Sequence, residues 1–170
     1  HIPGDTLPKC EALILCNNAD EYPNRHICGA GLACKVAEAL LGREAAREYI
    51  PLAGIATVAD IVPLTGENRV FAALAVKDIR RGRCPEGIKA LCSVSQTKLQ
   101  DVSAGDFGFR IAPRLNAASR IGEADAAVSL LMETERESAA KLAAKLDELN
   151  AKRKAEESGI FNAACEKLAN

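Results

Sequence analysis

The chain has 170 residues and a net charge of −1, with 48% hydrophobic residues, 4% aromatic residues and no tryptophan. That length suits one ordinary domain, or one domain with an appendage, around a core of Ala, Leu, Ile and Val. The near-neutral balance excludes a global basic field, and no run reaches the roughly 18 apolar residues of a membrane span, so any nucleic-acid contact has to come from a local patch on a protein with no membrane partner.

The first predicted element is residues 11–17 (EALILCN), which read as a short buried strand ending in the turn residues Asn17 and Asn18. Before it, the opening HIPGDTLPKC is polar and proline-broken, unlike a signal peptide. Cys28-Gly29-Ala30-Gly31 opens a helix that runs to about Leu41 and stops at Gly42. A glycine turn between strand and helix can approach a phosphate, and tight packing explains the same glycines equally well. Residues 44–62 fit either a helix or a buried strand. Residues 66–81 predict a helix with Val70, Leu74 and Ile79 along one side and Arg80, Arg81 and Arg83 at its end, where cations complement the helix dipole. Pro85 starts another short helix through about Leu91.

From residue 133 to 168 there is no proline and the single glycine is Gly159. Leu142, Leu146 and Leu149 make a narrow apolar stripe on a highly charged helix. Such a helix reads as a connector, and its stripe offers a seam for self-association. The fold expected is α/β but mostly helical, with one or two strands in residues 1–132 and a long helix over 133–170.

Two stretches carry chemistry. GIATVADIVPL sets Asp60 among apolar neighbours, where a buried carboxylate needs neutralising, hydrogen bonding or a cation. A helix cap or buried ion pair would satisfy it, and so would a hard divalent ion such as Mg²⁺ or Mn²⁺. FGFRIAPRLNAASRIG holds Arg110, Arg114, Asn116 and Arg120 among small residues. Arginine forks suit phosphate, although three arginines are as easily salt-bridged or solvated. With Pro113 in a first helical turn, Arg114 and Arg120 lie about 240° apart on an ideal helix, and only a turn or kink would converge them. The seven cysteines include no CxxC pair, which argues against zinc, and read as reduced, mostly core thiols of a cytoplasmic protein.

Residues 56–69 (ATVADIVPLTGENR) and 108–122 (GFRIAPRLNAASRIG) closely resemble two signature stretches of the RecJ-type single-stranded-DNA exonucleases, a branch of the DHH phosphoesterase superfamily. HIPGDTLP resembles the segment that includes the last histidine of the family's Asp-His-His motif, CGAG its glycine turn, and LDELNAKR the start of its connector helix. The resemblance implies the later part of a DHH-type α/β core followed by that connector helix. It implies 5′-to-3′ hydrolysis of single-stranded DNA in repair and recombination, with two Mn²⁺ or Mg²⁺ ions and with repair or replication proteins as partners. Asp60 falls on the family's metal-ligand aspartate and His1 on the second DHH histidine, both with catalytic roles. Arg114, Asn116 and Arg120, with Arg110, fall on the stretch that binds the DNA backbone. Ser119 stands where the family usually has glycine. The upstream aspartates and the downstream DHHA1 domain have no counterpart in this chain, so it is expected to be inactive alone and unable to hold two metals. Other DHH enzymes acting on oligoribonucleotides or cyclic dinucleotides, and a catalytically dead DNA-binding scaffold, are the alternatives.

Overall fold

The computed structural model describes residue 6, residues 8–16 and residues 22–169. The described residues are mostly helical and fall into two units, His1–Ile79 and Arg80–Asn170.

In the first unit, α1 (Gly29–Leu41) starts at Cys28, whose thiol accepts the Gly31 N–H at 3.3 Å. It ends at Gly42, whose φ of 83° is a left-handed value that glycine tolerates. A short turn of helix, α2 (Arg43–Ala46), and a 3₁₀ turn lead into α3 (Ile50–Ala59). Pro51 sits in the first turn of α3, where its missing N–H costs nothing. The ambiguous stretch 44–62 is therefore helical through Ala59. α4 (Gly66–Arg80) completes the unit. Ile27, Cys34, Ala53 and Phe71 form its core, with Leu32 and Ile50 packed against them. Gly54 is required by the α3–α4 approach: a Cβ there would lie 2.2 Å from the Ala75 Cβ and 2.6 Å from the Phe71 carbonyl oxygen.

The second unit begins with α5 (Glu86–Val94), preceded by Pro85 as expected. Ser103 and Asp106 then form a reciprocal cap on α6 (Ala104–Asp106). A π-helical turn over Phe107–Ile111 joins it to α7 (Ala112–Arg120). α8 (Ala124–Met132) and α9 (Arg136–Ala169) follow. Glu133 caps α9, accepting the N–H groups of Thr134 and Glu135 at 2.8 Å each and the Ser138 hydroxyl at 2.5 Å. The Ser138 bond, with the backbone donors behind it, holds the Glu133 carboxyl below its ordinary range. Gly87 mirrors Gly54, since a Cβ there would lie 2.0 Å from the Leu130 carbonyl oxygen. Ile88, Leu91, Val102, Phe107, Ile111, Leu130 and Leu146 are wholly buried in this unit.

Two expectations need correction. The described part of the expected strand, residues 11–16, is irregular, and among the described residues there is no strand. A strand persists only where a neighbour accepts its N–H and C=O groups. No described segment does so here, and Leu13 and Ile14 are exposed. The leucine stripe is likewise not an open seam. α9 packs against α5, α7 and α8, which buries Ala139, Ala143 and Leu146 and leaves Leu142 and Leu149 half-buried.

Candidate metal-ligand turn and nucleic-acid face

Asp60 lies at the C-terminal cap of α3, its N–H donating to the Ala56 carbonyl at 2.9 Å. The burial expected from its apolar flanks is not found: Asp60 is exposed, as is Ile61 at 89%. The reason is that the helix ends there, so the flanks turn outward instead of packing around the carboxylate. Nor is the carboxylate a helix cap in the stabilising sense, because the C-terminal end of the dipole repels an anion. No described side chain pairs with it. Ile61 next to it has φ 55°, an uncommon value for a β-branched residue.

What fixes this turn lies beneath it. Asn68 is wholly buried; its amide donates to the carbonyls of Pro63 and His26, each at 3.0 Å, and accepts from the Asn24 amide at 2.9 Å. One side chain thus ties the Asp60 turn, α4 and the segment leading into α1. Thr57, also buried, donates to the Ala53 carbonyl at 2.7 Å and lies 3.5 Å from the Cys28 thiol. Beside Asn68, Glu67 accepts from the Tyr22 hydroxyl at 2.5 Å and from Lys35 at 2.8 Å. Burial pushes the Glu67 carboxyl up, but the bonds from Lys35 and Tyr22 outweigh it and leave it below its ordinary value. The bond to Glu67 raises Lys35 despite its burial. Of the CGAG glycines, Gly31 serves packing, buried against Ile27, whereas a Cβ at Gly29 would meet nothing within 4 Å.

In the second unit the four expected residues do not act as one cluster. Arg114 is largely buried and turned toward α9, its Nε and Nη2 each 2.7 Å from Asp147 Oδ1 and its Nη1 2.6 Å from the Arg110 carbonyl oxygen. Arg110 is exposed and pairs with Asp106 at 3.3 Å. Asn116 and Arg120, one helical turn apart on α7, are both exposed and have no side-chain partner among the described residues. The π turn does not swing Arg114 round to join them. Ser119 lies within helical α7 and brings no left-handed strain; the positive φ falls at Gly122 instead. The basic end of α4 is structural at Arg80, which donates to the Val102 carbonyl at 2.8 Å.

His1 lies outside the described residues. Among the described residues, no three His, Cys, Asp or Glu side chains gather as a metal site. Asp60 is thus a single carboxylate, which does not by itself fit a two-metal centre. All seven cysteines are free; burial pushes the Cys84 thiol up to about 11 and the Cys92 thiol to about 12, so both are inert. No described helix is long and apolar enough to cross a membrane.

Sequence reasoning missed Asn68, the Tyr22–Glu67–Lys35 network and the role of Asp147. Asn68 and Glu67 sat inside the TGENR stretch already singled out, and Asp147 inside LDELN.

No protein-family model matches the chain. The single-stranded-DNA-specific exonuclease RecJ of Salmonella typhimurium is 38% identical over 186 residues, covering 99% of this chain and 32% of the relative. RecJ of Bacillus subtilis is 42% identical over 154 residues, covering 90% of this chain and 19% of the relative. The crystal structure of RecJ in complex with Mn²⁺ from Thermus thermophilus superimposes with a TM-score of 0.85 at 31% identity, over 96% of this chain and 25% of that one. A manganese-bound RecJ structure gives 0.78 at 32% identity, over 96% of this chain and 42% of that one. By residue identity and by backbone, then, the chain belongs to the RecJ family, and it spans about a third of the length of the Salmonella typhimurium relative.

Proposed function

We propose that this chain is the later part of a DHH-type α/β catalytic core (residues 1–132) with its connector helix (residues 133–170), from an enzyme that removes nucleotides from the 5′ end of single-stranded DNA in repair and recombination. The observation that carries this reading is the state of Asp60. The carboxylate is exposed, unpaired and set at the wrong end of a helix dipole, on a turn that a buried asparagine holds in place. The fold gains nothing from a charge there, which leaves a ligand as its reason. Relatives solved with Mn²⁺ and Mg²⁺ support a divalent ion as that ligand. Asp60 is the one donor the described residues contribute; the others would come from outside them, with His1 as a site residue. Asn116 and Arg120 are the groups free to take DNA phosphates, Arg110 is exposed but paired with Asp106, and Arg114 contributes by fixing α7 on α9.

The test uses the whole protein that contains this chain, given a long single-stranded DNA labelled at its 5′ end, the matching duplex, and a short oligoribonucleotide, each with Mn²⁺. Release of labelled mononucleotide from single-stranded DNA alone, abolished by Asp60→Ala, is the expected result. Preference for the oligoribonucleotide, or activity that survives Asp60→Ala, would overturn it. The 170-residue chain by itself is expected to cleave nothing.

A further inference from the structure

Phe109 is 86% exposed, although the residues around it in the chain are among the most buried: Phe107 and Ile111 are wholly covered and Ala112 nearly so. Phe109 lies at the middle of the π turn, two residues and so about half a turn from both Phe107 and Ile111, which sets its ring on the side opposite theirs. That opposite side continues along α7. Seven residues on is Asn116 and four further is Arg120, both exposed, whereas Ala117 and Ala118 between them are buried. One solvent-facing strip about 16 Å long thus presents a ring, an amide and a guanidinium in order.

The charge on the strip is one-sided. α7 has no carboxylate, and Arg120 has no partner among the described residues. The nearest acidic residue past the end of α7, Glu123, is held by Lys145. An exposed phenylalanine forgoes about 2 kcal/mol of burial, and the π turn that carries it is a departure from regular helix of a kind found often at functional sites. The ring, the amide and the guanidinium share the stretch read above as the nucleic-acid face, which favours a single strand over a protein as their common ligand. Single-stranded nucleic acid answers all three, with a base face for the ring, a base edge or sugar for the amide and a phosphate for the guanidinium.

We propose that Phe109 is a base-stacking residue for single-stranded DNA, acting on the same strip on which Asn116 and Arg120 bind the backbone. This rests on the single-strand-binding reading of α7 above, and adds to it a residue that contacts bases instead of phosphate.

Phe109→Trp adds an indole reporter, read as the difference in emission between this variant and its parent in the whole protein that contains this chain. The probes are oligo-dT and an abasic oligomer with the same number of phosphates, titrated at low salt and without divalent metal into that protein and its variants, with circular dichroism to confirm folding. Oligo-dT is expected to quench the indole and the abasic oligomer to leave it unquenched. Phe109→Ala is expected to weaken oligo-dT binding by about fivefold or more, with little effect on the abasic oligomer. Arg120→Ala is expected to weaken both and to reduce the salt dependence by about one phosphate contact. Binding of oligo-dT with no quench and no loss in Phe109→Ala would overturn the stacking role while leaving the single-strand reading intact. Equal quenching by both oligomers, or indole emission already blue-shifted in the free folded protein, would also overturn it. No binding of either oligomer would overturn the single-strand reading itself, and this inference with it.

Discussion

The two units hold their signature stretches by opposite means. In the first, the stretch is a turn, and its shape is set by one fully buried amide with three hydrogen bonds. In the second it is a helix, and its shape is set by apolar packing, with a partly exposed ion pair between Arg114 and Asp147 at its side. A turn has no repeating backbone bonds of its own and needs an internal polar clamp, whereas a helix satisfies its own backbone and can spend its side chains on one face or another. That is why the first unit delivers one exposed group at a defined point, and the second delivers a strip.

Where the units agree, the largest effects are expected. Each brings two helices together through a glycine, Gly54 inside α3 and Gly87 in the first turn of α5, and at Gly54 this comes despite the 0.5–1 kcal/mol or so that glycine costs in a helix interior relative to alanine. Gly87→Ala drives a Cβ into the Leu130 carbonyl, and Gly54→Ala drives one into Ala75 and the Phe71 carbonyl. Backbone cannot rotate away, so each is expected to cost about 3 kcal/mol, or roughly 6–12 °C in Tm. Gly29→Ala, with open space around it, is the control and should be neutral. Thermal unfolding followed by circular dichroism reads all three, and a neutral Gly54→Ala would mean that α3 and α4 do not cross so closely.

The difference between the clamps is tested next. Asn68→Ala removes from a fully buried position the side chain that bonds the Pro63 and His26 carbonyls and the Asn24 amide, and with those bonds partly buried it is expected to cost about 2 kcal/mol. Arg114→Ala strands Asp147, whose side chain is 41% exposed and can turn to water, so about 1 kcal/mol is expected. Urea denaturation of the two variants measures the gap. Equal losses would erase the distinction between a polar clamp and a packed helix.

Much of this was legible in the sequence because local rules govern it. Cys28 and Gly42 bound α1, Pro85 precedes α5, and the proline-free run from Glu133 becomes the long helix, each through capping or proline chemistry that acts within a few residues. What failed depends on partners distant in the chain. EALILC has the composition of a strand, but pairing makes a strand and composition does not show the partner. Asp60 reads as buried from its neighbours because apolar neighbours mean burial only while the helix continues. Arg114 and Arg120 look equivalent until Asp147, 33 residues after Arg114, claims the first of them.

The ion pairs separate the units by pH. Glu67 has its folded pKa below the ordinary 4.5, so its contribution to stability is present above that value and lost as pH falls through the folded one. Lys35 has its folded pKa above the ordinary 10.5, so its contribution is present below that value and lost as pH rises through the folded one. The Ser103 hydroxyl bond, ahead of the Arg110 charge, likewise holds Asp106 below 3.8. Its partner is a guanidinium, a group that keeps its charge in proteins, so that pair loses stability only in acid. Urea midpoints from pH 3 to 11.5 should therefore fall at both ends for the Lys35–Glu67 pair. Lys35→Arg should shrink the alkaline fall to the part due to Tyr22, whose hydroxyl is held above its ordinary value by burial and by its bond to Glu67, and Glu67→Gln should shrink both ends. An alkaline fall unchanged by Lys35→Arg would assign it elsewhere.

The smallest effect concerns backbone strain. Among the described residues, each unit has one non-glycine residue in the left-handed region, Ile61 at φ 55° and Gln96 at φ 56°. The left-handed conformation costs an L-residue about 1–2 kcal/mol, with the β-branched isoleucine at the upper end, and glycine returns about 0.5–1 kcal/mol of that as extra freedom of the unfolded chain. Ile61→Gly is therefore expected to stabilise by about 0.5–1 kcal/mol, and Gln96→Gly by less. Ile61 is 89% exposed, so the exchange removes almost no packing and the measurement reports the backbone alone. Strain kept beside an unpaired carboxylate, in a turn already clamped from below by Asn68, fits the ligand role proposed for Asp60. In the whole protein, Ile61→Gly should thus gain stability and lose Mn²⁺-dependent hydrolysis, while Gln96→Gly leaves hydrolysis unchanged; equal hydrolysis by the two variants would mean that the strain at Ile61 does nothing to aim Asp60.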